Sequence, residues 1–249
     1  MSGTLAHIFR HPIKAHGREA LASVVLSAGA CLPWDRHWAV AHEAAKLPAP
    51  MGWARCVNFS RGAKAPQLMA IAATLDETSG RVTLTHPDRP EISFDPETEA
   101  EAFLSWVRPL MPEGRAQSTA LTRAPGRGMT DSPFPSVAIL NLASNRALTG
   151  HLGQELSLHR WRGNLWIDGW EPWAEFGLVG RELKIGDAVL KVEQRITRCK
   201  ATTANPETGH VDADTLGGLS ALTGAQDFGI YATVVTGGAI APGLTVEVL

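Results

Sequence analysis

The sequence supports thiol or metal chemistry best at Cys199. The residue lies within residues 195–200, where two arginines and a lysine surround one sulfur. A cysteine among cations is typical of reactive and metal-binding thiols, because the thiolate is both the nucleophile and a soft metal ligand. The alternative is an inert role, since most free cysteines are small buried hydrophobic residues.

Apolar and β-branched residues around Cys199 predict a strand over residues 189–203. Side chains alternate between the two faces of a strand, so Arg195 and Thr197 would share a face with Cys199. Arg198 would point away from the sulfur unless a β-bulge re-aims it. The spacing alone leaves open how many cations lie beside the thiol.

Three further segments carry side chains suited to an anion. Lys14 follows a strand and Pro12, where a lysine can meet a phosphate or remain a solvated surface residue. Arg36 follows an aspartate, so its guanidinium can fork onto a phosphate or form a structural ion pair. Residues 162–164, Arg-Gly-Asn, suit the rim of a heterocycle or phosphate, or an ordinary turn.

Composition and missing motifs exclude several functional classes. A formal net charge of −2 without a basic patch argues against nucleic-acid binding. Cys31, Cys56 and Cys199 are far apart, which argues against a disulfide framework and favours a reducing compartment, the cytoplasm. No apolar run approaches the length of a secretion signal or a membrane span.

Common catalytic motifs are also missing. His7 and His11 fall in a predicted strand and turn instead of on a helix face, which argues against zinc. The chain has neither a Gly-rich loop ending in Gly-Lys-Ser/Thr nor a Gly-x-Ser-x-Gly elbow, so nucleotide hydrolysis and α/β-hydrolase chemistry lack support.

Short β-branched runs separated by turn residues predict a mainly β fold with short helices, an α+β chain. The predicted strands cover residues 5–9, 23–26, 38–42, 68–73, 81–85, 92–94, 137–142, 165–167, 189–203, 230–235 and 244–248, with a hairpin over 183–192. One helix is predicted to open at Asp95-Pro96 and to carry Phe103, Val107 and Leu110, and two more cover residues 144–152 and 214–222.

Composition also predicts two domains. Residues 1–112 would form a smaller β-rich domain, and residues 113–249 would form a β-barrel. The stretch 113–135, rich in Gly, Pro, Ser, Thr and Arg, is the predicted linker between them.

Five motifs in order resemble the MOSC family, named for the C-terminal domain of molybdenum-cofactor sulfurase, in members with an N-terminal β-barrel extension. Residues 11–15, His-Pro-Ile-Lys-Ala, echo the family's Tyr-Pro-x-Lys-Ser turn, and residues 34–38 echo its Asp-Arg-x-Trp motif. Residues 162–164 echo Arg-Pro-Asn, residues 197–199 contain Arg-Cys, and residues 228–231 match Phe-Gly-x-Tyr. The resemblance covers nearly the whole chain.

This resemblance, and similarity to the mitochondrial amidoxime-reducing component and its bacterial relatives, implies a bound molybdenum cofactor. Cys199 would ligate the metal as the catalytic residue, and Lys14 and Arg36 would hold the pterin phosphate. The residues implied to line the pterin are Ala143, Ser144, Asn145, Arg162, Asn164, Thr197, Arg198 and Tyr231. Two positions depart from the motifs: Ala15 replaces a hydroxyl residue and Gly163 replaces a proline.

The implied activity is reduction of small N-oxygenated compounds with electrons from an external electron-transfer protein, because the chain carries neither a ferredoxin-like cysteine cluster nor a flavin motif. A second hypothesis is a sulfur or cofactor carrier with a persulfide on Cys199. A third is a scaffold that has lost the cofactor. Pyridoxal phosphate is not expected, because the sulfurase activity that uses it lies in a separate domain.

Overall fold

Strands dominate the fold, as the sequence predicts. The computed structural model describes residues 1–249 and contains β strands, short 3-10 turns and α helices. The strands are β1 (Ser2–Arg10), β2 (Glu19–Leu21), β3 (Val24–Leu26), β4 (Ala39–His42), β5 (Ala72–Leu75), β6 (Val82–His86), β7 (Arg89–Phe94), β8 (Ser118–Thr122), β9 (Val137–Asn141), β10 (Leu165–Asp168), β11 (Glu182–Ile185), β12 (Ala188–Thr197), β13 (Asp227–Thr236), β14 (Gly238–Ile240) and β15 (Thr245–Val248). The helices are α1 (Ala100–Val107), α2 (Leu142–Leu152) and α3 (Thr215–Thr223).

A closed barrel forms the larger part of the molecule. Its strands run in the order β10-β9-β13-β12-β11-β15-β1, and β1 pairs back onto β10 to close the circle. Only β9 and β10 run parallel, and the other pairs are antiparallel. The division at residues 112 and 113 stays a prediction, but the barrel includes the first strand of the chain.

Alternation along the strands builds the barrel core. Leu190 and Val192 of β12 and Ile230 and Val234 of β13 are buried, and polar residues between them face outward. The predicted hairpin around Gly186 is confirmed by the pairing of β11 with β12. The apolar face of each strand therefore points into one shared interior.

A second core lies in the N-terminal part of the chain. The sheet β5-β6-β7 and the pair β4-β8 enclose α1, and the buried side chains include Trp38, Leu68, Phe94 and Phe103. This part is joined to the barrel next to β1. Lys14, which follows β1, donates its backbone N–H to Trp38 O at 2.7 Å. A cleft is left between the two cores.

Two predicted elements in the N-terminal part have different bounds. Residues 68–73 were expected as a strand, but Pro66–Ala70 is a 3-10 turn and the strand begins at Ala72, because a proline can open a helical turn. The helix expected from Asp95 begins at Ala100. The Asp95 carboxylate instead accepts from Glu97 N at 2.9 Å and closes a separate turn.

The strand predicted over residues 189–203 is wrong beyond Thr197. The register of β12 against β13 shifts three times, the last between Arg195 and Thr197, and the strand then ends. Residues Lys200–Thr203 form a 3-10 turn that Cys199 precedes, and Thr202 Oγ1 donates to Cys199 O at 3.1 Å. Strand alternation therefore does not decide which cations face the sulfur. The structure contains no helix of the length and apolar character needed to cross a membrane.

Candidate functional site

A cavity of about 380 Å³ lies in the cleft between the barrel and the N-terminal part. Ligand sites are usually clefts of roughly this size at such boundaries. The barrel supplies Trp161, Arg162, Thr197, Arg198, Cys199 and Tyr231, and the N-terminal part supplies Lys14, Ala15, Arg36, Cys56, Arg61 and Met69. The linker region contributes Asp131.

Lys14 reaches the cavity because the backbone after β1 is held against Trp38. The lysine is 5% exposed, and its Nζ donates to Met129 O at 2.7 Å and to Asp131 Oδ1 at 2.5 Å. Burial raises the pKa of Asp131, but the Lys14 ammonium more than offsets this effect, and the pKa lies below its ordinary value. One cation of the cavity is thus already neutralised.

Arg36 is fixed by its neighbour in the sequence. The Asp35 carboxylate is fully buried and accepts from the Arg36 guanidinium, from His11 N at 2.9 Å and from the His11 ring. Burial raises the pKa of Asp35, but Arg36 and His11 overcome it, so the carboxylate stays ionised. Arg36 has a φ of 51°, in the left-handed region that non-glycine residues seldom adopt.

Arg162 has no carboxylate partner. Its guanidinium donates to the carbonyl oxygens of Gly17 at 3.1 Å and Ile13 at 3.5 Å, and its backbone also has a positive φ, 49°. Burial, and then the nearby Arg36 guanidinium, lower the pKa of Arg162 to about 9. The surroundings therefore disfavour the charge that this side chain carries.

Arg198 is held by backbone carbonyls and aromatic rings. It donates to Trp161 O at 2.8 Å and to Phe228 O, and its guanidinium carbon lies 5.6 Å from the Trp161 ring centroid. Burial lowers the pKa of Arg198 to about 10, although Tyr231 and Cys199 act in the opposite direction. Like Arg162, it forms no salt bridge.

Cys199 and Tyr231 complete the polar wall. Cys199 is exposed, in contrast to the buried Cys31. Burial, followed by the Asp131 carboxylate, raises the pKa of Tyr231 above its ordinary value, so its hydroxyl keeps the proton. Thr197 Oγ1 donates to Asp227 Oδ1 at 2.7 Å beside the end of β12. The site therefore combines an accessible thiol, a phenol and several guanidinium groups, among which Arg162 and Arg198 form no salt bridge.

Two family models divide the chain between them. The MOSC N-terminal beta barrel domain matches residues 2–117, and the MOSC domain matches residues 129–247. The chain belongs to the MOSC domain family. The first match lies over the N-terminal core and the second over most strands of the barrel.

Individual relatives of this MOSC chain are distant. A molybdenum cofactor sulfurase from Drosophila mojavensis is 32% identical over 94 residues, which is 37% of the chain and 12% of the relative's length. The YUAD protein from Bacillus subtilis has a TM-score of 0.48 at 11% identity, covering 100% of this chain and 96% of that one. YiiM from Geobacillus stearothermophilus has a TM-score of 0.36 at 17% identity, covering 45% and 53%.

Four residues implied by the family motifs do not line the cavity of the MOSC chain: Ala143, Ser144, Asn145 and Asn164. Ser144 Oγ donates to the buried Glu175 carboxylate at 2.9 Å. Asn145 Oδ1 accepts from Trp161 Nε1 at 2.7 Å, and Asn164 Nδ2 donates to Phe9 O at 3.2 Å. Asn145 therefore supports Trp161, which lines the cavity, and Asn164 holds the backbone of β1.

Sequence reasoning missed Asp131, Cys56 and Arg61 as cavity residues. Their only local signal is polarity in loops, and their positions follow from packing between distant segments. One departure from the family motifs has a steric explanation. A Cβ on Gly163 would lie 2.1 Å from Leu140 Cδ1, so the residue that replaces proline leaves room for the leucine.

Proposed function

We propose that this MOSC chain binds a molybdenum cofactor and reduces small N-oxygenated compounds with electrons from a separate carrier protein. The observation that carries the proposal is the pair Arg162 and Arg198. Both guanidinium groups line one cavity, neither has a carboxylate partner, and burial lowers the pKa of each. Such a pair is relieved by a bound anion.

The donor set fits this cofactor. With its phosphate, oxo and dithiolene groups the cofactor is anionic, and the charges of Lys14 and Arg36 are already balanced by Asp131 and Asp35. The unbalanced Arg162 and Arg198 therefore match the anion, and the exposed Cys199 offers a soft sulfur ligand on the same wall. Ala15 supplies no hydroxyl, which removes one contact without closing the cavity.

Each residue has a separate task in this proposal. Cys199 would hold the metal, and Arg162 and Arg198 would supply the unbalanced positive charge. Lys14 and Arg36 would contact the phosphate, and Tyr231 would donate a hydrogen bond because its hydroxyl stays protonated. The cofactor would supply a metal that changes oxidation state. Asn145 and Asn164 position Trp161 and the β1 backbone from outside the cavity.

The test uses protein purified from a host that makes the cofactor. We expect molybdenum and pterin fluorescence in the wild type, and reduction of an amidoxime when a chemical reductant replaces the carrier protein. Cys199→Ala should lose activity and most of the molybdenum, and Cys31→Ala, outside the cavity, should keep both. Full molybdenum and full activity in Cys199→Ala would overturn the proposal.

A second function, sulfur transfer, is favoured by the exposure of Cys199. A persulfide must reach an acceptor, which a buried thiol does not permit. Mass spectrometry of the intact protein separates the two functions. One extra sulfur atom on Cys199 without a pterin supports the carrier, whereas a bound pterin with molybdenum supports the reductase.

A further inference from the structure

A second cavity, of about 250 Å³, lies in the N-terminal part of the chain. Five lining residues come from β4 and the segment after it, and the other four lie shortly before β8. The lining residues are His42, Phe59, Ser60, Arg61, Lys64, Met111, Gly114, Arg115 and Ala116. None of them carries a carboxylate, although the chain as a whole has more acidic than basic residues.

The charges around this cavity are unbalanced. Arg61, Lys64 and Arg115 all line it, and none of the three takes part in any salt bridge of the structure. The one polar side-chain contact of Arg61 is with Cys56 Sγ at 3.5 Å. Like charges around one cavity repel, and a small anion between them removes the repulsion.

Hydrogen-bonding groups line the same cavity. Ser60 is 4% exposed and shares a hydrogen bond of 2.8 Å with Ser118, in which either hydroxyl donates. When Ser118 donates, the Ser60 proton is free to meet a ligand. His42 Nε2 contacts Val57 O at 2.8 Å, and its buried Nδ1 has no partner. A histidine ring in its imidazolium form has two donor nitrogens, so this side chain can donate to an anion.

We propose that this second cavity binds a small oxyanion, of the phosphate or carboxylate class. The cations neutralise it, and Ser60 and His42 donate to its oxygens. Arg61 also lines the first cavity. The oxyanion is therefore either a free ion or the acid group of a molecule whose other end occupies the first cavity. The site does not depend on molybdenum.

Inorganic phosphate is the probe, measured by isothermal titration calorimetry at low ionic strength. The double variant Lys64→Gln/Arg115→Gln should bind phosphate at least about tenfold more weakly, because it removes two of the three cationic side chains that line the cavity. Arg198→Gln changes only the first cavity, and Arg108→Gln is an exposed arginine outside both cavities. Both single variants should bind phosphate as tightly as the wild type. Urea unfolding curves check that each variant is folded.

Two results would overturn the proposal: no phosphate binding to the wild type, or binding that the double variant keeps unchanged. Kinetics of the holoenzyme separate the two sources of the oxyanion. A higher KM of Arg115→Gln for a carboxylated amidoxime, but not for a neutral one, identifies the acid end of a substrate. Weaker phosphate binding with both KM values unchanged identifies a free ion. Loss of molybdenum would concern the reductase proposal alone.

Discussion

The guanidinium of Arg36 donates to the carbonyl oxygen of Arg162 at 2.8 Å. One cation of the first cavity thus fixes the backbone that carries the other, and both residues have a positive φ. Strained backbone persists where surrounding contacts over-determine it. The Arg36–Arg162 hydrogen bond links the N-terminal part to the barrel at two residues whose backbones are both strained.

Arg36→Gln should lower the free energy of unfolding by about 3 kcal/mol, because it leaves the buried Asp35 carboxylate without its cation. Urea denaturation measures this change, and the exposed Arg108→Gln should shift it by no more than about 0.5 kcal/mol. Adding Asp35→Asn to Arg36→Gln should recover part of the loss. Equal stability of Arg36→Gln and Arg108→Gln would contradict the role assigned to this ion pair.

Asn145→Ala should show whether Asn145 stabilises the fold around Trp161 or contacts the cofactor directly. It removes the acceptor of Trp161 Nε1 and the donor to Leu156 O, so we expect a loss of about 1 to 3 kcal/mol in unfolding free energy. Molybdenum per folded protein should stay unchanged, because Asn145 does not line the cavity. A molybdenum content that falls as far as in Cys199→Ala would show direct contact instead.

Gly163→Ala should destabilise the protein by about 1 to 3 kcal/mol, because the new Cβ overlaps the buried Leu140 side chain. Combining it with Leu140→Val should cost less than the sum of the single changes, as a double-mutant cycle of denaturation curves would measure. Gly150→Ala is the matched control. It lies within α2 with nothing near its Cβ, and alanine there should stabilise by about 0.5 to 1 kcal/mol.

Acid should destabilise the fold through His16. Burial, aided by Arg162, lowers the pKa of this fully buried ring from 6.5 to about 4. Between those values the unfolded chain binds the proton and the folded chain does not, so the stability contribution is present above pH 6.5 and is lost as the pH falls towards 4.

The lowered pKa of His16 corresponds to about 3 kcal/mol of unfolding free energy. His16→Gln should therefore flatten the dependence of unfolding free energy on pH over this window. The exposed His210→Gln should follow the wild type. Parallel curves for His16→Gln and the wild type would refute this origin of acid sensitivity.

Periodicity predicted the strands well but not where they end. Alternation identifies β12, yet the bulges that end it at Thr197 depend on its partner β13, which lies about thirty residues later. Local sequence therefore misplaces Cys199 in a strand, although its association with Arg198 holds because both line one cavity. The contact of Lys14 with Asp131 likewise cannot be predicted from either segment alone, because the two residues are far apart in the sequence.

The family motifs identified more of the cavity than the residue patterns did. For Lys14, Arg36 and Arg162 the ordinary structural role is the commoner outcome in isolation, and only their order along the chain favours one site. The resemblance implies that Ser144 lines the pterin. In the structure its hydroxyl donates to the buried Glu175 carboxylate, and the residue does not line the cavity. Which polar side chains line the cavity depends on the packing of distant segments, and a short motif does not encode that packing.

The place of β1 in the barrel has a consequence for synthesis on the ribosome. Ser2 pairs with Glu247, so β1 is synthesised well before the strand β15 with which it closes the circle. Until β15 is made, the edge of β1 that it later covers is open to wrong partners. The N-terminal core can fold during that delay, and it would then hold β1 beside the position that β15 later takes.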